Sequence, residues 1–510
     1  MSLVLGDGEH DTRVKKTATS ISSLGYRVTV IGLAGRRLPL RTSFNGCELL
    51  RIRARSIHFI AIMAIGLLWV DQYIAGIGTN ERLLVPVMIV VRVAIALVAT
   101  ALVLLALAWR APRACVRVCK QWLARWFVMA RKERSKAQAC SDFRKMPHAV
   151  LRRPARGIQR SFTSRPNFSL RSNWLMQKLP KSLLAHSINI DLARAAMALS
   201  PDLVVCNDCN TLVAGMLLKH RYGVPIVYDS HELFLERNIG VRNRTMDRIE
   251  WGFVEEYSVR RCDAVMTVAA GIARYLEDRY AIPRVHLVRN TPPLVAPIGS
   301  DAEIRTRCNI RPSQKVALYC GAITLNRGLE ELIACAPSLR NVAVVIMGPA
   351  RDRSYRERLA KQASENGTLG NTIHLLEAVP TTEVHRILAG CDFTVVPTRG
   401  VCLSYQFEAS NKMFASIMAG KPLVMTDHPE KRQLSHEFGV GVLVPDGDVA
   451  VLAEELDDLA SDPQRLSAMS QACLRASQEL NWSRDEQRLL HVIRATLSSS
   501  RGIASAGTPR

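Results

Sequence analysis

The chain has no cysteine framework. Its 13 cysteines are scattered without pairing rhythm, and Cys206 and Cys209 form a lone CxxC that no second pair or histidine cluster completes. That excludes a disulfide-stapled secreted domain and a zinc ribbon, and it points to free thiols in a reducing compartment. An apolar leader core is missing as well. Residues 1–20 carry charges and no hydrophobic stretch, which predicts no cleaved signal and a cytoplasmic setting for the catalytic part. Acids are scarce in one region above all. Arg110 to Lys181 holds 19 Lys and Arg against two acids, Glu133 and Asp142, so 17 of the 23 net positive charges sit there. A basic block of that kind implies an anionic partner, either nucleic acid or an anionic membrane surface.

The neighbouring sequence favours the membrane. Ile57–Val70 is apolar for 14 residues, and Leu83–Trp109 for 27 with Arg92 as its one charge. As a helix rising ~1.5 Å per residue the longer run reaches about 40 Å, enough to cross a ~30 Å hydrocarbon core with tilt. Arg51, Arg53 and Arg55 precede the pair; Arg110, Arg113, Arg117 and Lys120 follow it. The intervening loop, Asp71–Arg82, holds two acids and one Arg. The positive-inside rule then predicts a hairpin with both ends cytoplasmic. A re-entrant or interfacial insertion and a buried helix pair fit the same residues. Trp122, Trp126 and Trp174 among the basic residues suit a headgroup interface. Nucleic acid is not expected, since it leaves the apolar runs unexplained.

Outside this stretch the pattern alternates. Residues 11–33 read as an amphipathic helix, a turn and a buried strand, and Cys47–Ile52 as another strand. After residues 56–189 the alternation resumes near Ile190 and runs to His286–Val288. The proline-rich stretch 291–297 is a linker. A second alternation begins at Lys315, and helices at 449–461, 464–479 and 484–497 close the chain. Short loops between strands and helices predict parallel sheets covered on both faces. The α/β reading is thus a first domain (1–55 and 190–292), an insert (56–189) and a second domain (305–480). A last helix (484–497) and a disordered tail (498–510) follow.

Several segments carry chemistry. Phe407–Asp427, FEASNKMFASIMAGKPLVMTD, opens an apolar helical run on Asn411-Lys412. A helix N-terminus favours an anion, and Lys412 adds a full charge. Gly321-Ala-Ile-Thr-Leu-Asn-Arg-Gly328 lies between a strand and a helix, where a glycine admits a phosphate to the backbone and Arg327 offers a bidentate donor. Val344–Pro349, with Gly348, and Cys391–Thr398 are buried strands ending in Gly or Pro. Glu377-Ala-Val-Pro380 follows a further strand. Tyr228-Asp-Ser-His-Glu-Leu-Phe234 places His231 at the carboxyl end of a strand, the edge where ligands bind in such sheets. Asn207-Asp208 occupies the same edge one strand earlier.

Taken in order, these segments resemble the GT4-type (GT-B fold) glycosyltransferases, whose forms are close to NKxFExxAAGxPVV, GGxTxxRG, LxxxGxG, ADVxVxPS, YDSHELF and HDxxTLxAG. The resemblance covers roughly 1–55 and 190–497. It implies two Rossmann-like domains facing a cleft, with the hydrophobic and basic insert in the first. It implies a sugar moved, with retention of configuration and without a metal or other cofactor, from a nucleotide-sugar donor. The acceptor is expected to be a lipid-linked or polysaccharide glycan at the cytoplasmic face of the inner or plasma membrane, with residues 56–181 as the anchor.

In the family's roles, Arg327 and Lys412 hold the donor diphosphate and His231 faces the sugar and acceptor. Gly321, Gly328, Gly348 and Asn411 shape the donor site, Val379 lies beside the base, and Asp208 lines the acceptor side. Asn207 stands where the family has His. Ala415 stands where many members have a carboxylate that bonds the donor ribose; Glu408 is a substrate-binding candidate seven residues earlier. Ala322 replaces an Arg found in some branches. These departures keep a non-catalytic scaffold in a polysaccharide assembly complex open, and a sugar-nucleotide epimerase shares the fold.

Overall fold

A computed structural model of the protein describes residues 1–4, 8, 11–34, 38–52, 181–238, 244–296, 303–380 and 382–506. The apolar runs and nearly all of the basic segment lie outside them. Among the described residues no helix is long and apolar enough to cross a membrane.

Two sheets form. The first contains β1 (Ser2–Leu3), β2 (Thr29–Leu33), β3 (Arg41–Phe44), β4 (Cys47–Ile52), β5 (Val204–Asn207), β6 (Ile226–Ser230), β7 (Ala264–Thr267) and β8 (His286–Leu287). Their order is β3-β4-β2-β1-β5-β6-β7-β8, parallel except for β3, which pairs antiparallel to β4 at the edge. The second contains β9 (Lys315–Cys320), β10 (Val342–Met347), β11 (Ile373–Leu376), β12 (Phe393–Val396), β13 (Leu423–Thr426) and β14 (Gly441–Val444). Its order is β11-β10-β9-β12-β13-β14, parallel throughout. This is the two-domain α/β architecture that the alternation implied.

The strands are apolar on both faces because helices cover both faces. All six residues of β10 are buried. Val344 and Ile346 face the helices carrying Leu332 and Leu456, whereas Val345 and Met347 face Ile304 and Ile387. The first sheet packs Val30, Leu49 and Val205 against Val14 and Ala18 of helix Thr12–Ser22. Asp11 starts that helix by accepting from the backbone N–H groups of Arg13 and Val14, both at 3.0 Å; such a cap contributes about 1 kcal/mol.

The last helix, Trp482–Ala506, returns to the first sheet and adds Leu489, Val492 and Ile493 to its core. It is tied to the linker: Trp482 N–H donates to the Pro292 carbonyl at 2.8 Å, and Thr291 Oγ1 donates to buried Asp485 at 2.7 Å. The helix continues through Ala506, past Ser498, where a disordered tail was expected. Helix Lys181–Met197 begins ahead of Ile190, inside the stretch assigned to the insert.

Candidate active site

In both sheets the strand order reverses once, at β1/β5 and at β9/β12. Neighbouring loops diverge at such points, and ligands bind there at the carboxyl ends of the strands. One cavity of about 620 Å³ is lined from both domains. Val4, Asn207, Asp208 and His231 reach it from the ends of β1, β5 and β6; Arg327, Tyr405, Glu408, Ser410 and Asn411 line it from the second domain. Five sequence-predicted residues are thereby brought together: His231, Asp208, Arg327, Glu408 and Asn411.

Lys412 sits just beneath this wall, 16% exposed, with Nζ 3.6 Å from Glu408 Oε1. Arg327 Nη1 donates to the same oxygen at 2.8 Å, and its guanidinium lies 4.5 Å from the centre of the Tyr405 ring. A third cation, not anticipated from the sequence, is Lys431. It is fully buried, and its Nζ donates to the Val396 carbonyl at 3.3 Å. Burial alone raises the Glu408 carboxyl, but Lys412, Arg327 and Lys431 outweigh it and hold it at about 2. Burial pushes the Lys431 ammonium down to about 8 and lowers Lys412, in both cases against the pull of Glu408. Two cations thus share one carboxylate with a third in the same field, and the surplus is positive. Arg327 Nε, Glu408 Oε2 and Ser410 Oγ are buried without a partner. Helix Asn411–Met418 starts at Ser410, whose side chain makes no cap bond. Its free N–H groups and dipole therefore add to the same positive field.

Glycines let these parts meet. A Cβ at Gly328 (φ +74°) meets the Pro397 carbonyl oxygen at 2.0 Å, so only glycine seats the β9 loop against the end of β12. A Cβ at Gly348 meets the Gly321 oxygen at 1.8 Å, and one at Gly321 meets Lys412 Cδ at 2.5 Å. Val379 follows β11 and packs on the core beside Ile387; it does not line the cavity. Ala415 packs on the same core. Ala322 is exposed, with its carbonyl accepting from Tyr319 at 2.8 Å.

The opposite wall is built around His231. Its Nε2 lies 3.2 Å from Asp229 Oδ2 and its Nδ1 lies 3.5 Å from Asp208 Oδ2. Asp229 is fully buried and is gripped by Arg13, whose Nε and Nη2 donate to its two oxygens at 2.9 and 2.7 Å. The third guanidinium nitrogen donates to the Val288 carbonyl at 2.9 Å. Burial alone lowers the imidazole, yet Asp208 and then Asp229 lift it to about 9, so His231 is a cation at neutral pH. Asp208 has φ +60°, ψ 162°, a conformation that non-glycine residues rarely adopt and that costs about 1–3 kcal/mol. Its Oδ1 accepts from the His231 backbone N–H at 3.0 Å, which helps to hold that conformation.

Arg13 and Asp229 were missed as site residues. Asp229 stands inside the YDSHELF segment, but nothing in the sequence shows that it faces His231. Arg13 reads as an ordinary polar position of an amphipathic helix. The two domains also touch outside the cavity. The buried Glu430 carboxylate accepts the N–H groups of Ala270 and Gly271, at 3.2 and 3.0 Å, capping helix Ala270–Tyr280 across the divide. The Phe407 ring fills the space where a Gly271 side chain would lie.

A positive cradle facing a charged histidine across two Rossmann-like domains defines a class, the group-transfer enzymes of GT-B fold. Two family matches agree: "Glycosyl transferases group 1" over residues 314–462 and "Glycosyltransferase Family 4" over residues 146–291. The chain belongs to the GT4-type glycosyltransferases. Among its relatives is a D-inositol 3-phosphate glycosyltransferase of Thermobispora bispora, 26% identical over 54% of this chain and 67% of that one. Another is an alpha-maltose-1-phosphate synthase of Mycolicibacterium smegmatis, 24% identical over 60% and 82%. In fold the chain is similar to sucrose-phosphate synthase from Thermosynechococcus elongatus, with TM-score 0.65, 12% identity and 98% of each chain covered. It is also similar to Anabaena HepE solved with UDP, with TM-score 0.50, 15% identity and coverage of 61% and 82%.

Proposed function

We propose that the protein transfers a sugar from a nucleoside-diphosphate sugar to a glycan, retaining the anomeric configuration and using no metal ion. One observation carries the donor assignment: Arg327 and Lys412 meet on the single carboxylate of Glu408, with the buried Lys431 ammonium in the same electrostatic field. An incoming diphosphate supplies the missing negative charge. As the glycosidic bond breaks, that charge grows on the leaving oxygen, and fixed cations then stabilise the transition state more than the ground state. The UDP in the HepE structure supports a nucleotide ligand. A panel of nucleotide sugars and free nucleoside diphosphates, with EDTA present, tests the reading by thermal melting. Any true donor at 100-fold over its Kd is expected to stabilise by ~2.7 kcal/mol. If no member of the panel moves the transition, the donor assignment fails.

We further propose that the reaction runs at the cytoplasmic face of a membrane, on a lipid-linked or polysaccharide acceptor. The support is the Leu83–Trp109 run beside the segment from Arg110 to Lys181. The full chain is expected to pellet with membranes through a high-salt wash, and a variant lacking 56–181 to remain in the supernatant. Release of the full chain by salt alone removes the spanning anchor.

A further inference from the structure

The wall that faces the cations offers a second substrate mostly hydrogen-bond acceptors. Asn207 sets the pattern. It is 2% exposed, and its Nδ2 donates to Ser2 Oγ and to the Leu3 carbonyl, each at 2.8 Å. Those two bonds fix the amide, so Oδ1 is left as a buried acceptor without a partner in a residue that lines the cavity. The Oδ1 atoms of Asn210 and Asn290, also in the lining, are buried and unpaired in the same way. Asp208, Glu232 and Asp11 add three carboxylates. Burial raises both Asp208 and Glu232, and each raises further in the field of a neighbouring acid.

Of the residues that line the cavity from this wall, both cations, Arg13 and His231, are already engaged. Both Asp229 oxygens and the Val288 carbonyl take up Arg13, which is 2% exposed. His231 lies between Asp208 and Asp229. Lys16 Nζ donates to the Thr291 carbonyl at 2.6 Å and lies 4.5 Å over the Trp482 ring. A phosphate entering here meets the carboxylates of Asp208, Glu232 and Asp11, with the one lining imidazolium, His231, already set between two acids. A hydroxyl or ammonium group supplies the hydrogens that these atoms lack.

We propose that the sugar acceptor bound on this wall is uncharged or amino-bearing and carries no phosphate at the part that enters, with Asn207, Asp208 and Glu232 as the selecting residues. The inference rests on the glycosyltransferase reading and adds the chemical class of the second substrate. Specificity of this kind comes as much from repulsion of the wrong partner as from attraction of the right one.

The test uses the full chain and three probes of one size class: glucosamine, glucose and glucose 6-phosphate. Their affinities are measured by calorimetry at low salt, with and without saturating UDP. Glucosamine and glucose are expected to bind at least about tenfold more tightly than glucose 6-phosphate, since like charges placed together are strongly disfavoured. The double variant Asp208→Asn, Glu232→Gln is expected to narrow that ratio. Glu232→Gln alone gives the same direction if the double variant does not fold. Equal or tighter binding of glucose 6-phosphate overturns the inference, as does a ratio unchanged in the variants. Binding of none of the three at ~10 mM, above the usual KM range of about 1 µM–1 mM, overturns it too. UDP binding, followed in the same titrations, reports on the donor reading separately.

Discussion

Arg327→Ala and Lys412→Ala are each expected to lower kcat/KM by about 10²–10³, the range for one preorganised donor lost from a charged transition state. Both side chains touch the same oxygen of Glu408, at 2.8 and 3.6 Å. Removing either therefore subtracts a charge from the cradle and leaves Glu408 less compensated, so the electrostatic field falls twice at one point. The two losses are expected to be non-additive, because the residues share that partner. Arg327→Lys is expected to recover only part of the activity, since an ammonium cannot reproduce the planar fork or its stacking on Tyr405 at 4.5 Å. Steady-state kinetics with a saturating donor settles the matter. Wild-type turnover in both alanine variants removes the phosphate assignment, whatever else the cleft does.

Much of this cradle was legible in the sequence because its parts are local. Gly321 to Gly328, and Asn411 with Lys412, are strand–loop–helix junctions, where glycine, helix start and cation lie within a few residues. The repeated apolar strands likewise fixed the parallel α/β class. What was not legible depends on contacts across long separations. Lys431 reaches the Glu408 field from a helix start that reads as solvent-facing, and its burial is visible only once Val396 lies beside it. Arg13 and Asp229 are 216 residues apart in the chain. The β3 edge strand alternates exposed and half-buried residues and so has little apolar signal. The Asn45-Gly46 dipeptide after it was the available hint of a hairpin.

His231→Ala is expected to lower turnover by roughly 10² or more while leaving nucleotide affinity nearly unchanged. The size is that of a lost acid–base or polar group. The split follows from geometry: His231 belongs to the first domain, whereas the cations around Glu408 belong to the second. A nucleoside diphosphate can therefore load without His231, which acts on the sugar or acceptor across the cavity. Its charge state sets a pH dependence. Asp208 and Asp229 overcome burial and lift it to about 9, above the ordinary ~6.5. The stabilisation that its proton brings is thus complete below about pH 6.5 and is lost as pH rises through about 9. Turnover that needs the imidazolium is expected to fall over the same alkaline window. Asp208→Asn keeps an acceptor for the His231 backbone N–H but removes a carboxylate, so the alkaline limb should move toward neutrality. Calorimetry with UDP and a pH–rate profile read the two parts independently. Loss of UDP binding in a folded His231→Ala variant places the residue in the nucleotide pocket. An alkaline limb unmoved by Asp208→Asn shows that the proton on His231 is not the one the reaction needs.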